Sequence, residues 1–130
     1  MISVAIVEDE QRCAQTLQQH LDRYAAENGI VFAVNTFQNA FSFLNDTRTS
    51  YDIVFMDIEM PHENGLDAAA EMRRLNSESV LIFVTNMAQY AIRGYEVDAM
   101  DFLLKPVPYE VFSYKIKKAL TLAENEPPQN

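Results

Sequence analysis

Cysteine, positive charge and long apolar runs are all scarce in this 130-residue chain, and each scarcity excludes something. The one cysteine, Cys13, has no partner for an internal disulfide. Ten Lys and Arg face nineteen Asp and Glu, giving a net charge of -9 and a pI near 4.5. Such a surface repels phosphate backbones and anionic lipid, so direct DNA binding by this segment is not expected. No apolar run approaches the length that spans a membrane. The Met-Ile-Ser start lacks a basic segment followed by a long apolar one. The expected setting is reducing and cytoplasmic, with no membrane association. What remains, 48% hydrophobic residues, fits one globular domain that buries roughly two thirds of its unfolded surface.

Apolar, β-branched or aromatic runs recur at Ile2 to Val7, Ile30 to Phe37, Ile53 to Met56, Val80 to Thr85 and around Phe102 to Leu104. Each has the length of a strand. Helical spacing lies between them. Cys13, Leu17, Leu21 and Tyr24 share a stripe that Gly29 stops, and Asn39 is placed to cap a short helix carrying Phe41 and Leu44. Asn64-Gly65 precedes Leu66 to Leu75, Asn86 precedes Ala88 to Arg93, and a final helix comes after Pro108 with Phe112, Ile116, Ala119, Leu120 and Ala123 on one face. Five strands alternating with five helices predict a parallel sheet covered on both sides. No repeat at solenoid period is present. Glu124 to Asn130, with Pro127-Pro128, reads as a tail or the start of a linker.

In a parallel sheet all carboxyl ends point the same way. Strand one leads into Glu8, Asp9 and Glu10, strand three ends at Asp57, strand four at Thr85 and strand five at Lys105. Open α/β sheets bind ligands beyond those ends, where strand order reverses. Taken singly, Asp57 is a strand-end carboxylate, Thr85 a strand or cap residue and Lys105 a surface lysine; only their shared register suggests chemistry. Clustered carboxylates raise one another's pKa unless a cation joins them. Few hard oxygen ligands with room for water and phosphate suit magnesium better than calcium. Zinc is disfavoured, because His20 and His62 show no ligand spacing with Cys13. Beside such a cation an aspartate can itself attack phosphorus. Glu10 and both histidines are expected at the surface, and Cys13 against the sheet.

Glu8-Asp9, the D-I-E-M-P run from Asp57 with Gly65 after it, then Thr85, and Lys105-Pro106 together resemble the receiver domain of bacterial two-component response regulators over residues 1 to 123. The resemblance implies a flavodoxin-like (CheY-like) sheet of order 2-1-3-4-5 and a phosphorylation-dependent switch rather than a turnover enzyme. Asp57 would accept the phosphoryl group from a sensor histidine kinase. Mg2+ would be held by Asp9, Asp57 and the Glu59 main-chain carbonyl, with Glu8 acting through water. Thr85 and Lys105 would contact the phosphoryl oxygens, and the bond before Pro106 would be cis. Phe102 falls at the switch aromatic, where tyrosine is commoner, and Glu63 stands where many receivers carry Met or Leu. The run Tyr90 to Pro106 is similar to receivers that precede a LytTR-type DNA-binding domain, so the output implied is transcription through such a domain beyond this chain. Tyr90, Tyr95 and the lysines of the last helix would mark a homodimer face of helix 4, strand 5 and helix 5.

Two other readings use the same architecture. A haloacid-dehalogenase-like phosphohydrolase also employs an aspartyl nucleophile, but usually has a second aspartate two residues on, where Glu59 stands. A flavodoxin-like cofactor binder needs a phosphate loop after strand one, where E-D-E-Q would repel an unbridged phosphate.

Overall fold

The computed structural model describes residues 1–46, 50–61, 63–75, 78–86 and 98–124. The main elements are β1 (Ile2–Val7), α1 (Gln11–Asn28), β2 (Phe32–Phe37), α2 (Ala40–Leu44), β3 (Ile53–Asp57), the two-residue strands β4 (Glu59–Met60) and β5 (Glu63–Asn64), α3 (Gly65–Arg74), β6 (Val80–Thr85), β7 (Asp101–Leu104) and α4 (Tyr109–Glu124). Five strands form one parallel sheet in the order β2-β1-β3-β6-β7, and β4 and β5 form a small antiparallel ribbon beside it. Leaving the ribbon aside, the order is the expected 2-1-3-4-5. The chain steps from β1 outward to β2, then back past β1 to β3, so the order reverses between β1 and β3.

The unbroken apolar runs are explained by helices on both faces. Along β3, Ile53 and Phe55 point into a cluster with Leu17 and Leu21 of α1 and Phe112 and Ile116 of α4. Val54 and Met56 point the other way, onto Ala40 and Phe43 of α2 and Leu66, Ala69 and Met72 of α3. Alternate residues of a strand face opposite sides, so a strand buried on both has no polar position to spare until it ends.

Several boundaries and faces differ from expectation. Strand β2 starts at Phe32, because Gly29, at φ 64°, caps α1 and the Ile30 N–H bonds to Ala25 O at 3.1 Å. In α1 the buried stripe runs through Ala14, Leu17, Leu21 and Tyr24, and Cys13 is only half-buried. In α2, capped by Asn39 as expected, Phe41 is 71% exposed and Phe43 is the core residue, since a five-residue helix turns only one narrow face inward. The expected helix over 88–93, Tyr90, Tyr95 and His62 lie outside the described residues. No helix among the described residues is long and apolar enough to cross a membrane.

Candidate functional site

Strand register assembles the site. Val7 pairs with Met56, Asp57 with Val84, and Thr85 with Leu104. Glu8, Asp57, Thr85 and Lys105 therefore leave four adjacent strands at nearly the same level. Glu8 is held there by its N–H on Phe37 O at 2.9 Å, and Lys105 by its N–H on Thr85 O at 2.9 Å. The Lys105–Pro106 bond is cis, as expected.

The side chains converge. Glu8 and Asp57 are buried at 2% and 3% exposure, Thr85 is fully buried and Asp9 is exposed at the rim. Lys105 Nζ lies 2.9 Å from Glu8 Oε1 and 3.5 Å from Asp57 Oδ1. The Glu10 N–H donates to Glu8 Oε2 at 3.1 Å, and the Glu59 N–H donates to Asp57 Oδ1 at 3.2 Å. Glu10 itself is exposed, as expected. Phe102, half-buried on β7, packs against the α2/α3 cluster.

The electrostatics are unbalanced. Burial, and after it the hydrogen bond and charge of Glu8, push the Asp57 carboxyl up to about 8 against the partial relief of Lys105. Burial works against the Lys105 ammonium, yet its bond to Glu8 and the charge of Asp57 more than offset that and raise its pKa. The Lys105 ammonium faces two buried carboxylates, with a third carboxylate beside them. Oxygens of Glu8, Asp9 and Asp57 all lie within 4.8 Å of one another. Three hard oxygen donors around an excess of negative charge fit a divalent cation.

Three residues hold structure around the site for reasons their local sequence does not announce. Gly65 does not occupy a strained turn. Its N–H donates to Ile58 O at 2.7 Å, and a Cβ there would stand 2.0 Å from Asp57 O. The glycine exists because α3 begins against the main chain of the strand that ends at Asp57. Glu63 accepts from the Ala40 and Phe41 N–H groups with its two oxygens, both at 2.9 Å. It ties the loop after Asp57 to the start of α2, where negative charge meets unpaired N–H groups. His20, expected at the surface, is half-buried with Nε2 2.7 Å from Val107 O. Nearby on the same helix, Cys13 donates to Glu10 Oε1 at 2.6 Å, and burial, then that bond, pushes its thiol up to about 11.

The response regulator receiver domain profile matches residues 4–117. The sensory transduction protein LytT of Bacillus subtilis is 34% identical over 118 residues, which are 91% of this chain and 48% of that protein. An uncharacterized response regulatory protein of Yersinia pestis is 37% identical over 123 residues, covering 93% of this chain and 48% of its own length. The chain thus spans about half the length of these relatives. Among solved structures, the BeF3-activated DrrB receiver domain superposes with a TM-score of 0.79 at 23% identity, over 93% of this chain and 98% of that one. The chemotaxis protein CheY4 of Vibrio cholerae gives a TM-score of 0.77 at 18% identity, over 92% and 98%. At those identities the likeness is one of fold.

Proposed function

Because the chain belongs to the response regulator receiver domain family, we propose that it is a two-component phosphoacceptor switch whose acceptor is Asp57. A sensor histidine kinase supplies the phosphoryl group. An Asp57 carboxylate oxygen forms the new O–P bond as the P–N bond of a phosphohistidine breaks, and the imidazole leaves with the electron pair of that bond. Asp9 and Asp57, the Glu59 main-chain carbonyl and, through water, Glu8 would hold Mg2+. That cation would supply charge neutralisation for the incoming phosphoryl oxygens. Lys105, already within ion-pair distance of Asp57, is placed to meet the same oxygens, and the buried Thr85 hydroxyl is the second contact. Movement of Thr85 and of Phe102 carries the change to the surface. The observation that carries this reading is the closeness of three carboxylates from two strand ends beside the buried Lys105 ammonium.

Residues 1–123 act as the switch and 124–130 are a tail or the start of a linker, and the output is transcription, in the cytoplasm, through a LytTR-type DNA-binding domain not in this chain. The acidic receiver leaves DNA contact to that domain. Phosphorylation favours a homodimer through β7, α4 and the segment before β7. The phosphohydrolase alternative has no observation in its favour, since the position of its second acid is Glu59, whose side chain is exposed.

Incubation with acetyl phosphate and Mg2+ tests the reading by intact-mass measurement. One base-labile phosphoryl group is expected, lost in Asp57→Asn. Labelling that survives in Asp57→Asn would place the acceptor elsewhere.

A further inference from the structure

The connection from β7 to α4, residues 105–108, is gripped from outside the sheet by α1. His20 Nε2 lies 2.7 Å from Val107 O. A carbonyl oxygen can only accept, so this ring nitrogen carries the hydrogen and donates it. The imidazole is wedged between Tyr109 and Phe112, with ring centroids at 5.4 and 5.2 Å. Phe112 in turn stacks on Phe55 of β3 at 5.7 Å. Further along α1, the Arg23 guanidinium lies 4.0 Å from the Tyr109 ring centroid, and Glu27 accepts from the Tyr109 hydroxyl at 2.6 Å. Three residues on one helix thus hold Val107 and Tyr109.

Lys105 stands two residues before Val107, and α1 begins directly after Glu8, Asp9 and Glu10. A single 18-residue helix therefore carries the acidic loop at its start and clasps the ammonium-bearing loop at its middle. We propose that His20 is a positioning residue for Lys105: by donating to Val107 O it fixes the 105–108 segment against α1 and so sets the ammonium's distance from the acidic cluster. The effect on phosphoryl binding rests on the phosphoacceptor reading, whereas the effect on the loop does not.

The test uses H20F, which keeps an aromatic ring against Tyr109 and Phe112 but removes the donor, and H20Q, which restores an N–H. Three quantities are measured on the 130-residue chain: Mg2+ affinity, beryllofluoride affinity in saturating Mg2+ by fluorine NMR, and hydrogen exchange of the Lys105 amide, which is bonded to Thr85 O. H20F should lose roughly fivefold in beryllofluoride affinity, the effect of one hydrogen bond. Its Lys105 amide should exchange faster, and its Mg2+ affinity should not fall. H20Q should recover most of both losses. A folded H20F with wild-type beryllofluoride affinity, or one in which Mg2+ and beryllofluoride affinity fall together, would overturn the proposal. If the wild type takes up no beryllofluoride, the phosphoacceptor reading fails by itself; Lys105 exchange then decides alone, and unchanged protection in H20F sinks the clamp.

Discussion

Gly65 begins α3 so close to Asp57 that the main-chain oxygen of the aspartate occupies the space a side chain at residue 65 would need, 2.0 Å from an ideal Cβ. Both atoms in this contact are backbone or bonded to it, so neither can rotate away. Gly65→Ala should therefore lower unfolding free energy by about 3 kcal/mol, at the upper end for overpacking. It should also weaken Mg2+ binding, because relief must come from moving the end of β3. Urea denaturation and calorimetric titration measure the two effects; a variant as stable as the wild type would mean that α3 shifts freely.

Asp57→Asn should stabilise the cation-free protein. The folded carboxyl is pushed up to about 8 from an ordinary value of 3.8, so between those values the folded state holds the proton more tightly than the unfolded state does. Stability contributed by this group is then lost as pH rises from about 4 through 8. The gain from Asp57→Asn should grow over that range and reach roughly 1–3 kcal/mol, the scale of an uncompensated buried polar group. Added Mg2+ should reverse the order by stabilising the wild type. Thermal melts across pH, with and without Mg2+, would show it; parallel curves for both proteins would contradict it.

Lys105→Ala removes the ammonium that faces Glu8 and Asp57. Without Mg2+ the variant should lose about 3 kcal/mol, as when one partner of a buried ion pair is deleted. Mg2+ affinity should be retained or rise, since the carboxylates lose their internal counter-charge. Calorimetry distinguishes this from a collapsed site, which would bind no metal.

Glu63→Ala should cost about 1–2 kcal/mol, the range for losing a helix cap, because both carboxylate oxygens accept from the first N–H groups of α2. Glu63→Gln, with one oxygen left, should cost less. Amide exchange at Ala40 and Phe41 reports the loss directly; unchanged protection there would assign the stability effect elsewhere.

Alkylation of Cys13 should be slow and should accelerate with pH toward about 11, the value to which burial and the Glu10 bond push the thiol from 9.0. At pH 8 the thiolate is then roughly a hundredfold scarcer than in an unperturbed cysteine. Glu10→Gln should raise the rate at pH 8 by removing the acceptor's charge. Iodoacetamide kinetics read this out, and a rate at pH 8 equal to that of the unfolded chain would refute it.

Much of the site is legible in one dimension because parallel strands end on one edge: wherever an apolar run stops on a polar residue, that residue has to be near the others. Glu8, Asp57, Thr85 and Lys105 are connected by this rule alone; the structure joins the side chains of Glu8, Asp57 and Lys105 and ends the Thr85 strand at the same level. The supporting residues escape it. Glu63 reaches N–H groups 22 and 23 positions away, and His20 a carbonyl 87 positions away; no spacing rule links residues whose neighbours are set by how helices dock. Gly65 is visible as a glycine, but not its cause, which is a contact with the main chain of another element. Burial within short or amphipathic helices lies one residue from its expected place at Ala14 against Cys13, and two at Phe43 against Phe41, because two candidate apolar positions compete for one face.

Among the described residues, the sheet divides its support between two layers that share no helix. Glu63 and Gly65 brace the loop after Asp57 against α2 and α3, whereas His20 braces the Lys105 connection against α1 and α4. The pocket is thus a seam whose opposite lips are anchored in different masonry. An engineer could loosen the ammonium lip by repacking α1 on α4 while leaving the aspartate lip undisturbed, and so retune one side of the seam without rebuilding the other.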